Sequence, residues 1–152
     1  MDEFAQAVKD VDEKCEDLLK SQLNRMAELP KEMPLAGIYI LSEGVIVLYA
    51  GRTNNMRKRL QYHMRNSHNQ ATFAFLLARE KTDNMKATYR KEGSRSHLLS
   101  QPAFRAAFES ARARIKRMNI QFIEESDPVR QALLEICAAI RTKAKYNAFD
   151  NH

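Results

Sequence analysis

Apolar positions recur along this chain with two different periods, and the switches between them mark its elements. Over residues 2–29, Phe4, Val8, Val11, Cys15 and Leu18 return every three or four residues, and Leu19, Leu23 and Met26 continue the stripe slightly rotated. That period predicts one helix, packed on the domain and ended by Pro30 and Pro34. Residues 35–50 change character. LAGIYIL and VIVLYAG are rich in β-branched and aromatic residues and flank Ser42-Glu43-Gly44, which predicts a hairpin. Met56, Leu60 and Met64 restore a period of four, so a helix is expected over 54–66 with Thr53 or Asn54 as its cap. QATFAFLLAREK predicts another helix over 70–81, and the polar, aperiodic stretch 82–97 reads as a loop, loosest at Gly93-Ser94-Arg95-Ser96. PAFRAAFESARARIKR predicts a helix over 102–117 with Pro102 in its first turn. Met118, Ile120 and Phe122 alternate as a third strand over 118–124. Asp127 then caps a last helix that starts at Pro128 and runs to about residue 145. The expected fold is α+β: a small three-stranded antiparallel sheet flanked by helices, with an N-terminal helix and extra central helices.

The hairpin carries two tyrosines, and its register decides whether they meet. If Ser42-Glu43-Gly44 is a three-residue loop, Leu41 opposes Val45, Tyr39 opposes Val47 and Gly37 opposes Tyr49. Tyr39 and Tyr49 then share a face, one diagonal step apart. A two-residue loop puts them on opposite faces. Taken singly, each tyrosine is an ordinary strand residue.

Composition narrows the class. The chain has 152 residues, enough for about one domain with a real core. Hydrophobic residues make up 44% and mean hydropathy is −0.55, and no apolar run approaches the ~20 residues of a membrane span. The acidic start MDEFAQAVKD lacks the apolar core of a signal peptide. Cys15 and Cys137 are too few for a disulfide framework, so both are expected reduced and the protein cytoplasmic. Net charge is +6 and uneven: residues 1–29 hold eight acidic and four basic side chains, residues 30–152 eleven and twenty-one. A basic body suits a polyanion, because neutralised phosphates release counterions.

The segment after the hairpin sharpens this. Gly51-Arg52-Thr53-Asn54-Asn55 turns the chain into the helix where Arg59 and His63, four residues apart, project from one face. Arginine binds phosphate through two parallel hydrogen bonds, and histidine exchanges a proton near neutral pH. Glu135 stands in the otherwise apolar run ALLEICAAI, where an unpartnered carboxylate is costly, so it is expected to face a cation or a cleft. His63 and His68, five apart, make a poor metal pair, and no zinc, dinucleotide or nucleophile-elbow motif is present.

Residues 37–63, GIYILSEGVIVLYAGRTNNMRKRLQYH, resemble the signature of the GIY-YIG nucleases, with Gly37-Ile38-Tyr39 and Tyr49-Ala50-Gly51 as its two halves. The resemblance covers about residues 35–65 and 118–148. It implies a metal-dependent endonuclease with Tyr39, Tyr49, Arg59, His63, Glu135 and Asn147 as the catalytic set. Glu135 would hold one Mg2+ or Mn2+ per active site, the metal would stabilise the leaving 3′-oxygen, and Arg59 the charge on the transition state. Tyr39 would activate or position water, for which a side chain titrating near ~10 needs nearby cations. Tyr49 and His63 would orient it or relay the proton. Arg52, Thr53, Asn54, Arg57, Lys58 and Arg95 are the expected nucleic-acid contacts. Ala50 departs from the usual isoleucine; it faces away from the tyrosines, which predicts a packing change. Residues 66–118 exceed a minimal domain and, with the N-terminal helix, resemble restriction-enzyme-like members.

The expected organisation is a helical extension over 1–30, a nuclease domain over 31–148 with an insertion at 66–118, and a tail at 149–152. The expected partner is DNA, with RNA as the alternative nucleic acid, no membrane, and a homodimer through the N-terminal helix where both strands are cut. A nucleic-acid-binding module of the same fold without cleavage is the competing reading.

Overall fold

The computed structural model describes residues 1–65, 71–83 and 94–147. They divide into two compact units, Met1–Arg57 with Met118–His152, and Lys58–Arg117. In the first unit the elements are α1 (Glu3–Lys20), β1 (Asn24–Arg25), β2 (Gly37–Glu43), β3 (Ile46–Thr53), β4 (Asn119–Glu124) and α6 (Pro128–Thr142). In between, α2 (Met56–His63) leads into the second unit, which holds α3 (Thr72–Lys81), α4 (Arg95–Ser100) and α5 (Pro102–Lys116). The α+β class is as expected. The sheet has four antiparallel strands in the order β1-β4-β2-β3 rather than three, because the short β1 pairs with β4.

Helices α1 and α6 cover one face of the sheet. Val11, Cys15 and Leu18 of α1 and Leu134, Ala138 and Ala139 of α6 enclose Ile38, Ile40 and Ala50, with Val47 and Ile123 packed against them. Each helix is capped locally: Asp2 accepts from the Ala5 amide at 2.7 Å, and Asp127 from the Arg130 amide at 2.9 Å with Pro128 in the first turn. Both cysteines are free thiols, and burial pushes that of Cys15 up to about 12, with Cys137 alongside adding to the rise.

The predicted N-terminal helix is too long. It ends at Lys20 instead of Pro30, with Ser21 in an extended conformation. The Gln121 amide of β4 reaches its last carbonyls, at 3.4 Å from Leu18, 3.3 Å from Leu19 and 2.9 Å from Ser21. Carbonyls at a helix end must find donors outside the helix, and Gln121 supplies one from a distant strand. Leu23 is consequently exposed, and Met26 joins the sheet edge through its amide on the Met118 carbonyl.

In the second unit Phe75 of α3 packs with Phe104 and Phe108 of α5, and Phe73 is buried as well. α2 is shorter than the predicted 54–66, and α5 matches its prediction closely. The predicted loop 82–97 ends in a helix: Ser94 caps α4 by accepting from the His97 amide at 3.1 Å. Gly93 and residues 84–92 lie outside the described residues, as does the predicted tail 149–152. Among the described residues no helix is long and apolar enough to cross a membrane.

Candidate active site

The hairpin brings the two tyrosines together by a route other than the expected odd-length loop. Glu43 pairs with Ile46, so the turn is the two residues Gly44-Val45, with Gly44 at φ +58°. Such a turn alone would separate the tyrosines. A β-bulge restores them: Ser42 pairs with Val47 but Leu41 pairs with Tyr49, so Leu48 is an extra residue in β3. Val47 therefore faces the α1/α6 core, and Tyr49 turns to the other face with Tyr39. Their ring centroids lie 6.2 Å apart at 38°. Tyr39 is wholly buried and Tyr49 half-buried.

Each glycine of the two half-motifs makes a close approach possible. Tyr39 stands opposite Gly51, not Val47, and a Cβ on Gly51 would come within 2.4 Å of Cζ and Oη of its ring. Gly37 stands opposite Thr53 on one side and Glu124 on the other, not opposite Tyr49. A Cβ there would lie 1.9 Å from the Ile123 carbonyl oxygen, so only glycine lets β2 and β4 pair at this point. Ala50 does face away from the tyrosines, into the core beneath α6.

The turn after β3 is fastened to α6. Asn54 Oδ1 accepts from Gln131 Nε2 at 3.0 Å, and the same amide donates to the Glu125 carbonyl at 2.6 Å. The Arg52 guanidinium donates to the Pro128 carbonyl at 3.1 Å. Thr53 Oγ1 accepts from the Asn55 amide at 2.9 Å, and Arg57 donates to the Pro30 carbonyl and, at 3.0 Å, to that of Lys31. Glu125 is buried, paired with Lys14 at 3.0 Å and accepting from the Asp127 amide at 3.0 Å.

Glu135 lies one helical turn beyond Gln131 and is half-buried. Arg52, the residue after Gly51, lies near its carboxyl group with both its charge and its backbone N–H. Burial raises its pKa above the ordinary glutamate value, opposed by the charge and the N–H of Arg52. The last helix thus brings its one carboxylate near Arg52 at the end of β3.

Asn147 closes the free edge of β3. Its side chain accepts from the Ala50 amide at 2.8 Å and donates to the Ala50 carbonyl at 2.7 Å. The amides of Lys145 and Tyr146 bond the carbonyls of Val47 and Leu48 just before it. This is an edge strand satisfied by the chain's own C-terminal segment. Within the described structure Asn147 fixes the backbone of the second half-motif.

Arg59 and His63 sit one turn apart on α2, Arg59 half-buried and His63 wholly buried. The imidazole packs edge-on against Phe73, with centroids 6.2 Å apart. Burial, and then the nearby Arg59 charge, push its pKa down to about 3, so the ring is neutral at physiological pH. Lys58 is exposed and lies over the Tyr62 ring at 5.6 Å. Arg95 stacks on one ring with Arg79, 5.0 and 4.9 Å from the Phe75 centroid.

Tyr39 and Tyr49 therefore meet on one face of the sheet, Glu135 of α6 lies near Arg52 at the end of β3, and Asn147 holds the strand. Gln131 and Gln121 are not expected from sequence; each is a polar residue at a buried position, and each fixes an element that carries the site. Among the described residues no three His, Cys, Asp or Glu side chains converge to hold a metal ion. No family model matches the chain, and neither a curated protein nor a solved structure matches it.

Proposed function

We propose that this chain is a divalent-metal-dependent endonuclease of the GIY-YIG type that hydrolyses phosphodiester bonds in DNA. The observation that carries the reading is the pairing of Tyr39 with Tyr49 on one sheet face, Tyr39 packed against Gly51, with Glu135 of α6 near Arg52, the residue that follows Gly51. A lone half-buried carboxylate fits the way Mg2+ is commonly held, through one or two carboxylates with water and phosphate oxygens completing the shell. Glu135 would hold the ion, which when bound supplies Lewis-acid stabilisation of the leaving oxygen. Tyr39 and Tyr49 position the attacking water, and Arg59 stabilises negative charge on the phosphorus oxygens. His63, whose lowered pKa makes the buried ring a weak base, would orient its neighbours rather than relay a proton. Exposed Arg52 and Lys58 are the first candidates for backbone contacts. A double-strand cut requires two such chains or two successive cuts by one, and α1, with exposed Phe4 and Val8, is the proposed dimer face.

One observation favours a second reading. Tyr39 and His63 are each wholly buried, which suits a packed scaffold that binds nucleic acid without cutting it. Plasmid DNA and a folded RNA, each incubated with Mg2+, Mn2+ or EDTA, separate the readings. Metal-dependent nicking of DNA supports the nuclease, cleavage confined to RNA redirects it, and binding without cleavage under every metal establishes the second reading.

A further inference from the structure

Charge is segregated between the two units. Lys58–Arg117 carries fourteen Lys and Arg against four Asp and Glu, net +10, while the remainder carries eleven against fifteen, net −4. In the first unit Lys14, Arg130 and Arg141 are committed to acidic partners: Glu125, Asp10, and Asp12 with Glu16. Lys20, Arg25, Lys31 and Lys143 of that unit are exposed without an acidic partner among the described residues but belong to a net-negative unit, whereas the second unit is strongly net positive. Lys81 at the end of α3 and Arg105, Lys116 and Arg117 along α5 are exposed, and none has an acidic partner among the described residues. The one acid of α5, Glu109, is already held by Arg112 at 2.6 Å. Arg105 and Lys116 are eleven residues apart, which at 3.6 residues per turn returns them to nearly the same face about 16 Å along the axis. Uncompensated cations spaced along an exposed helix are the electrostatic footprint of a polyanion site.

We propose that Lys58–Arg117 is the main backbone-binding surface of this chain for duplex DNA, with Lys81, Arg105, Lys116 and Arg117 neutralising phosphates without reading sequence. The inference rests on the DNA-directed reading above and adds to it where the substrate is held. Backbone contacts of this kind supply affinity and salt dependence rather than specificity.

The test is binding of the full chain to a labelled random-sequence DNA duplex in EDTA, by fluorescence anisotropy over a series of salt concentrations. Replacing Lys81, Arg105, Lys116 and Arg117 together by alanine should weaken binding. It should also lower the slope of log K against log salt by about 0.9 for each phosphate that is no longer neutralised, roughly 3–4 in all. A control variant of the first unit, with Lys20, Arg25, Lys31 and Lys143 changed to alanine, should keep both affinity and slope. An unchanged slope in the first variant, an equal loss in the control, or tighter binding of an RNA duplex than of DNA would each overturn the proposal. Thermal melting checks that both variants remain folded. Plasmid cleavage in Mg2+ is read in parallel: cleavage with an unchanged slope defeats this inference alone, and slope loss without any cleavage defeats the nuclease reading alone.

Discussion

Gly51 and the Tyr39 ring fill each other's space: the position a Cβ would take on Gly51 lies 2.4 Å from the ring's Cζ and Oη. Tyr39 is wholly buried and cannot swing aside without displacing its neighbours. The second glycine of the motif is therefore the wall against which the first tyrosine is set. Gly51→Ala should cost about 1–3 kcal/mol, the usual range for forcing extra atoms into a packed site. Urea unfolding reads this as a lower midpoint with an unchanged slope. Shortening the ring in the double variant Gly51→Ala with Tyr39→Leu should recover part of the loss, and strictly additive effects of the two changes would rule out the ring as the cause.

Glu135 sits where function and stability pull in opposite directions. Its carboxylate is partly desolvated, with its pKa raised, so at neutral pH the ionised form is less favourable in the folded chain than in the unfolded one. Glu135→Gln keeps the shape and removes the charge. Under the nuclease reading it should lower cleavage by at least ~100-fold, the scale of losing a group that acts in the transition state, while the melting temperature stays level or rises. Wild-type cleavage by this variant would remove Glu135 from the site.

The elements legible from sequence are those whose signals are local. Pro102 and the Asp127-Pro128 pair mark two helix starts because the first turn tolerates proline and a side-chain acceptor satisfies its free amides. The end of α1 is illegible because its cause lies a hundred residues away, in the Gln121 amide that takes up the carbonyls of Leu18, Leu19 and Ser21. The pattern of residues 37–51 places the tyrosine pair on one face, but through the wrong device. Ser42-Glu43-Gly44 looks like the turn, whereas a two-residue turn with a bulge at Leu48 produces the same parity. No local pattern distinguishes the two. Glu135 stands out as a carboxylate in an apolar run, but only the resemblance ties it to the tyrosines, since a single glutamate in such a helix is usually a solvated edge. Gln131, which ties the turn at Asn54 to α6, carries no sequence signal beyond being polar at a buried position of the helix.

Asn147 is expected to act through the strand it holds. It supplies both an acceptor and a donor to Ala50, so Asn147→Ala leaves an amide and a carbonyl of β3 to find other partners, a loss of about 1–3 kcal/mol for each group left unsatisfied. Asn147→Asp keeps the acceptor but sets a carboxylate oxygen against the Ala50 carbonyl, and should be at least as damaging. Native-state hydrogen exchange gives the direct readout: the Ala50 amide should lose protection in both variants, while amides of β4 keep theirs. An Ala50 amide equally protected in the alanine variant would show that the edge is held by something else.

His63 makes the stability of this fold sensitive to acid. Its folded-state pKa is depressed to about 3 by burial and by Arg59, against an ordinary value near 6.5. Between those two values the unfolded chain binds a proton that the folded chain refuses. Stability is therefore complete above the unfolded value and declines as pH falls below it, by up to about 1.4 kcal/mol per pH unit. The decline should begin near pH 6.5, well above the range in which ordinary carboxylates titrate, and level off only as the folded value is reached. Replacing the ring by a neutral side chain of similar bulk, His63→Gln or His63→Phe, removes the titration. Urea midpoints measured from about pH 7.5 to 4.5 should then slope downward for the wild-type chain and run nearly flat for the variants over the upper part of that range. A wild-type curve that is flat between about pH 6.5 and 5 would mean that His63 takes up its proton in the folded state, which is incompatible with an imidazole buried beside Arg59.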